Sequence, residues 1–156
     1  MKLAIIAALV LWVSPVAAEE VVKIHAGANV VWFDDMAKPS DVELGGTVGA
    51  SLSQHISIVG GAWFGIDKSY LRGTVGPRIT VSDPANKDLS IGLGFEYQAS
   101  SEPVTRSEEW TGLATIGLRP WPQVPQVVIG AQAGYGMDTG DASLLVGVRY
   151  RIGGYR

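Results

Sequence analysis

The chain has 156 residues, with 12 Lys and Arg against 15 Asp and Glu, a formal net charge of −3 and no cysteine. That length suits one domain, and the charge balance offers no basic patch of the kind nucleic acid requires. The lack of cysteine excludes a disulfide-stapled fold, a thiol nucleophile, a thiolate metal site and a lipid-modified cysteine.

Residues 1–18, "MKLAIIAALVLWVSPVAA", carry a single charge at Lys2, an apolar run from Leu3 to Val13, and small residues at Val16 and Ala18. This is the layout of a cleavable secretory signal, with the cut expected after Ala18. The apolar run is too short for a spanning helix, which needs ~20 residues. The expected domain organisation is therefore a signal peptide over 1–18 and a single domain over 19–156.

Past the signal, apolar residues do not recur at helical spacing, and Gly falls in every segment, which a helix would resist. A period of two fits instead. The first segment sets Val22, Ile24, Ala26, Ala28, Val30 and Trp32 against Lys23, His25, Gly27 and Asn29. The second, "VELGGTVGASLS", sets Val42, Leu44, Gly46, Val48, Ala50 and Leu52 against Glu43, Gly45, Thr47, Gly49 and Ser51. In the third, Ile56, Ile58, Gly60, Ala62, Phe64 and Ile66 oppose Ser57, Val59, Gly61, Trp63 and Gly65. In the fourth, the odd positions from Leu71 to Val81 oppose Tyr70, Arg72, Thr74, Gly76, Arg78 and Thr80. Pro77 falls inside that segment and cannot donate to a ladder, so a bulge or a strand end is expected there.

The fifth segment alternates the odd positions Leu89 to Ala99 with Ser90, Gly92, Gly94, Glu96 and Gln98. The sixth alternates Trp110, Gly112, Ala114, Ile116 and Leu118 with Glu109, Thr111, Leu113, Thr115, Gly117 and Arg119. The seventh alternates the odd positions Val127 to Tyr135 with Gln126, Val128, Gly130, Gln132 and Gly134. The eighth alternates Leu144, Val146, Val148, Tyr150 and Ile152 with Leu145, Gly147, Arg149 and Arg151. No charge falls on the apolar parity of any segment. The breaker clusters between segments are too short to hold a parallel crossover helix. The pattern predicts an all-β fold, an eight-stranded antiparallel up-and-down transmembrane β-barrel.

Two barrels share this alternation, turned inside out. A soluble periplasmic barrel would enclose the apolar face and bind a small hydrophobic ligand; that is the alternative. Glycine argues for the membrane version. Glycines crowd the polar face, where water would gain nothing from them, whereas an eight-stranded barrel has an interior just wide enough for side chains. If the N-terminus starts below the membrane, Trp32, Phe64, Tyr97, Trp110 and Tyr135 gather at the upper level. Tyr150 and Trp121 fall at the lower one. This is the expected aromatic girdle.

The architecture resembles the small outer-membrane barrels of the OmpA and OmpX type in Gram-negative bacteria. The resemblance covers the mature chain and rests on no short motif. It implies export, residence among outer-membrane lipid and lipopolysaccharide, and folding by the barrel-assembly machinery. Members of that class usually end on an aromatic residue. This chain ends "LLVGVRYRIGGYR", with Arg156 last and Tyr155 off the alternation. A monomer is expected.

The polar parity carries Lys23, Glu43, Arg72, Arg78, Glu96, Glu109, Arg119, Arg149 and Arg151. Strand direction puts Glu43, Arg72, Glu96 and Glu109 high, and Lys23, Arg78, Arg119, Arg149 and Arg151 low, near His25. Such a set makes either a narrow passive pore or a plug of Arg–carboxylate pairs. Buried charges require partners, and eight strands leave little channel, so pairing is the default.

Some small outer-membrane barrels modify lipid A with His, Ser and a carboxylate. Here His25 lies low, and His55 sits beside Ser53 in a tight turn, where turn chemistry is the commoner role. No enzyme activity, cofactor or metal is expected. The upper loops carry Asp34, Asp35, Asp41, Asp67, Glu102, Glu108, Asp138 and Asp141, read as a solvated acidic rim. A structural or surface-interaction role follows.

Overall fold

The computed structural model describes residues 22–33, 36–53, 55–82, 88–101 and 108–155. The expected signal segment and Asp34, Asp35 and Glu102 lie outside the described residues. Eight strands follow in order: β1 (Val22–Phe33), β2 (Asp41–Ser51), β3 (Ile56–Gly65), β4 (Leu71–Ser82), β5 (Leu89–Ser100), β6 (Glu109–Leu118), β7 (Val127–Gly136) and β8 (Ala142–Tyr155). Each pairs antiparallel with its sequence neighbours, and β8 returns to β1 to close the barrel. With an even number of strands, the first and last strand ends share one end of the barrel, here called the lower end.

The two parities take opposite sides. Leu93 is 63% exposed and Leu71 57%, and both lie on the outer wall. Buried side chains are mostly polar, among them Glu43, Arg72, Glu96, Gln98, Glu109 and Thr111. This arrangement overturns the soluble alternative, because the apolar parity encloses no cavity. Water disfavours so continuous an apolar wall.

Pro77 neither bulges β4 nor ends it. The ladder to β5 pauses at Gly76 and Pro77 and resumes in the same register, with Val75 opposite Tyr97 and Arg78 opposite Gly94. On its other side Pro77 stays opposite Ile58. The missing donor thus removes a local bond while the neighbouring ladders hold the strand straight.

The register shift lies elsewhere, between β1 and β8 at Ile24 and His25. His25 is opposite Arg151 while Ile24 is opposite Gly153, so Ile152 is the extra residue. Such an insertion flips the parity beyond it. Tyr155, off the alternation in sequence, is thereby paired with Val22 of the outward parity.

The upper lumen is less polar than the alternation implied. The inward parity of β1 continues past Asn29 to Val31 and Phe33, which are buried with Tyr70 and Leu145 in one apolar cluster. Phe33 and Tyr70 meet edge to face, with centroids 6.5 Å apart. Gly65 is what lets Tyr70 enter. Its amide donates to the Tyr70 carbonyl at 2.9 Å, and a Cβ on it would run into the Tyr70 ring. We predict that Gly65→Val displaces Tyr70 and destabilises the barrel by about 1–3 kcal/mol. Urea unfolding followed by tryptophan fluorescence would read this as a lower midpoint.

Candidate functional site

Strands β2, β5 and β7 each send one long polar side chain, Glu43, Glu96 and Gln132, into a shared network in the lumen, and β4 sends two, Arg72 and Arg78. Glu43 of β2 is fully buried. Its Oε1 accepts from the Tyr70 hydroxyl at 2.7 Å and from Arg72 Nε at 2.8 Å, and its Oε2 accepts from Arg72 Nη2 at 2.6 Å. This is a two-pronged guanidinium–carboxylate pair, the geometry that makes an ion pair strong and directional. Arg72 Nη1 lies 4.0 Å from Glu96 Oε1. Glu96 Oε2 accepts from Arg78 Nη2 at 3.1 Å. Gln132 closes the chain, accepting from Arg78 at 3.1 Å and donating to Glu96 at 3.2 Å.

Two carboxylates and two guanidiniums therefore neutralise each other across the barrel axis, and Tyr70 and Gln132 cap the ends of the chain. This pairing corrects one expectation. Arg78, placed low by strand direction, reaches up to Glu96. Tyr70 and Gln132 were legible as inward residues but not as network members, since neither carries a charge.

Among the described residues Glu109 pairs with no cation. Its Oε2 accepts from the Thr139 hydroxyl at 3.0 Å, while Oε1 is buried with no hydrogen-bond partner among the described residues. Beside it, Gln98 donates to the Thr111 hydroxyl at 2.5 Å. Asp41 does not belong to an exposed rim. It is 2% exposed and accepts the amides of Asp67 at 2.9 Å and Lys68 at 3.0 Å, tying the β3–β4 turn to the start of β2. Asp67, Glu108 and Asp138 are exposed, and Asp141 is half-buried. Glu108 accepts from the Tyr97 hydroxyl at 2.7 Å.

Below the network the lumen opens into a cavity of about 430 Å³. Lys23, Arg78, Arg119, Arg149, His25 and His55 line it, and among the described residues no Asp or Glu does. Arg149 lies over the Trp63 ring, 5.6 Å from its centroid. Gly27 gives it room, since a Cβ there would sit 3.2 Å from Arg149 Cγ. Arg151 is half-buried opposite His25 and is not part of the lining.

The Ser53–His55 pair is a turn device. Ser53 Oγ accepts the amides of His55 at 3.3 Å and Ile56 at 3.1 Å, and His55 Nδ1 lies 3.3 Å from the Thr80 carbonyl. Among the described residues no group of three His, Cys, Asp or Glu side chains is placed to hold a metal ion.

On the outer wall, Phe64, Trp110, Tyr135 and Tyr150 are exposed, and Trp32 and Tyr97 half-buried. Tyr97 and Trp110 sit opposite each other on β5 and β6, with rings edge to face at 5.7 Å. All but Tyr150 lie toward the upper strand ends. Trp121 is exposed in the β6–β7 connection at the lower end.

No protein-family model and no curated protein matches the chain. Solved structures do. The solution structure of the de novo designed protein TMB2.3 aligns with 86% of this chain and 95% of its own at 18% identity, with a TM-score of 0.57. The fold is shared. The Yersinia pestis outer membrane protein Ail in a phospholipid bilayer nanodisc aligns with 86% of this chain and 100% of its own at 16% identity and a TM-score of 0.49. Its crystal structure aligns over the same shares at 18% identity and a TM-score of 0.46. The fold assignment rests on the designed barrel and on this chain's own strand pairing.

Breaking one side of the Glu43–Arg72 pair leaves the other charge buried alone. We predict that Arg72→Met lowers the unfolding free energy by about 3–5 kcal/mol, and that adding Glu43→Met recovers most of the loss. A double-mutant cycle of urea midpoints in detergent micelles checks this.

Proposed function

We propose that this chain is an exported outer-membrane barrel of a Gram-negative bacterium. Its role is structural or surface-interacting, and its lumen is closed to the passage of solutes from one end to the other. One observation carries the reading. The outer wall is apolar all round, while the Tyr70–Glu43–Arg72–Glu96–Arg78–Gln132 chain and the apolar cluster above it fill the upper lumen. An apolar wall needs lipid, and a closed barrel presents no unpaired strand edge to it.

In that setting the apolar wall meets membrane lipid and lipopolysaccharide. Trp32, Phe64, Tyr97, Trp110 and Tyr135 form the upper interfacial girdle, with Tyr150 and Trp121 below. Export uses the signal over 1–18, and the barrel-assembly machinery inserts the chain. The parity flip at Ile152 supports recognition of β8, because it brings the Tyr155 position opposite outward Val22. The chain acts as a monomer and without catalysis, since Ser53 and His55 are spent on turn and backbone contacts.

The test is cell fractionation, then a gel of unboiled against boiled sample, then planar-bilayer recording. The expected outcome is an outer-membrane band that shifts on boiling and a flat current trace. A soluble periplasmic band would reject the membrane assignment, and regular conductance steps would make the lumen a pore. As a quantitative check, Val48→Arg on the outer wall should cost about 2–4 kcal/mol of stability in lipid vesicles. Vesicle-based urea titration would show it.

A further inference from the structure

Among the described residues the charges of the lumen do not balance along its length. Glu43 and Glu96 match Arg72 and Arg78 in the network. That leaves Lys23, Arg119 and Arg149 around the cavity below, with no Asp or Glu in its lining among the described residues. Arg149 faces the Trp63 ring, and Glu96, which lines the same narrow gap above the cavity, is already paired with Arg78 and 4.0 Å from Arg72. Lys23 and Arg119 are exposed, but Arg149 is half-buried, and a cation so placed among like charges is favoured by a counter-charge.

A second observation points the same way. Asn29, at the ceiling of the cavity, is 3% exposed, and its amide Nδ2 has no hydrogen-bond partner among the described residues. A buried donor of that kind is costly unless an acceptor meets it. The walls between add hydroxyls from Ser57, Thr80, Ser90 and Thr115. Cations, an amide donor and hydroxyls are the donor set that oxyanions take. The volume of about 430 Å³ lies within the ~300–1,000 Å³ range of small-molecule sites.

We infer that the lower lumen is a binding site for a small, multiply charged oxyanion of the phosphate type. Lys23 and Arg119 form its exposed rim, Arg149 its wall and Asn29 its ceiling. The ligand enters along the barrel axis from the lower end, because the network closes the upper lumen and the strand ladders close the sides. A soluble anion has that route, whereas a lipid headgroup anchored outside the wall does not. Such a site needs only the closed barrel, whatever the barrel's cellular role.

The test titrates sodium pyrophosphate into the folded barrel in uncharged detergent micelles, by calorimetry at low ionic strength. The expected result is saturable binding of one anion per barrel. It weakens about tenfold in Lys23→Met and again in Arg149→Met, and is unchanged in Lys68→Met of the upper β3–β4 turn. A boiling gel checks that each variant folds. Should Arg149→Met fail to fold, Lys23→Met and Arg119→Met at the exposed rim carry the comparison. Pyrophosphate should also raise the urea midpoint of the parent barrel and leave that of the Lys23→Met/Arg119→Met double variant unmoved.

Unsaturable binding, or equal weakening by Lys68→Met, would overturn the site, since either means diffuse attraction to surface charge. Phosphatidylglycerol added to the micelles should not displace pyrophosphate. Displacement by that lipid would overturn entry along the axis and assign the cations to a headgroup instead.

Discussion

A β-sheet that leaves an edge strand open must hide a row of unpaired amides and carbonyls, and lipid offers them nothing. In this chain the seam between β1 and β8 removes that edge, running from Val22 opposite Tyr155 to Phe33 opposite Ser143. The other features follow from the seam. Closing on eight strands fixes a narrow bore, the bore forces small residues inward, and the large inward residues that remain must fit against one another. Even the irregularity at Ile152 serves the seam, since it lets β8 keep pairing with β1 to the end of both strands.

Within that bore the two ends have become different solvents. The upper half is dry. Val31, Phe33, Tyr70 and Leu145 exclude water, and Arg72 and Glu43 sit beneath them at 2% and 0% exposure. A pair so placed stabilises only because its geometry is good and its remaining donors and acceptors are met. Tyr70 meets one Glu43 lone pair, and Glu96 lies within reach of Arg72 Nη1. The lower half has the reverse character, an open space whose lining is cationic and hydroxyl-rich. The network between them is both a plug and a boundary between these environments.

Some of the interior could be read directly from the alternation. Glu43, Arg72 and Glu96 share the inward parity and a level set by strand direction, so their meeting follows from counting. Arg78 did not follow, because a long side chain reaches a level its Cα does not occupy. Asp41 was misplaced for a related reason. It sits at a strand start, where sequence cannot say whether a carboxylate faces water or turns back to cap a neighbouring hairpin. Pro77 was read as a breaker from its missing donor alone. In the closed sheet its neighbours keep their register on both sides, and the strand needs no bend.

The sequence by itself determined the strand count, the antiparallel order and which face of each strand is apolar. These are local properties, fixed by the period of two and by connections too short for any other path. Only the tertiary structure decided which inward side chains touch. Contacts across the lumen depend on relative stagger and on the reach of flexible arginines, neither of which the alternation encodes. The filled upper lumen and the cationic space below it are both consequences of that stagger, so they became visible only once the sheet was closed.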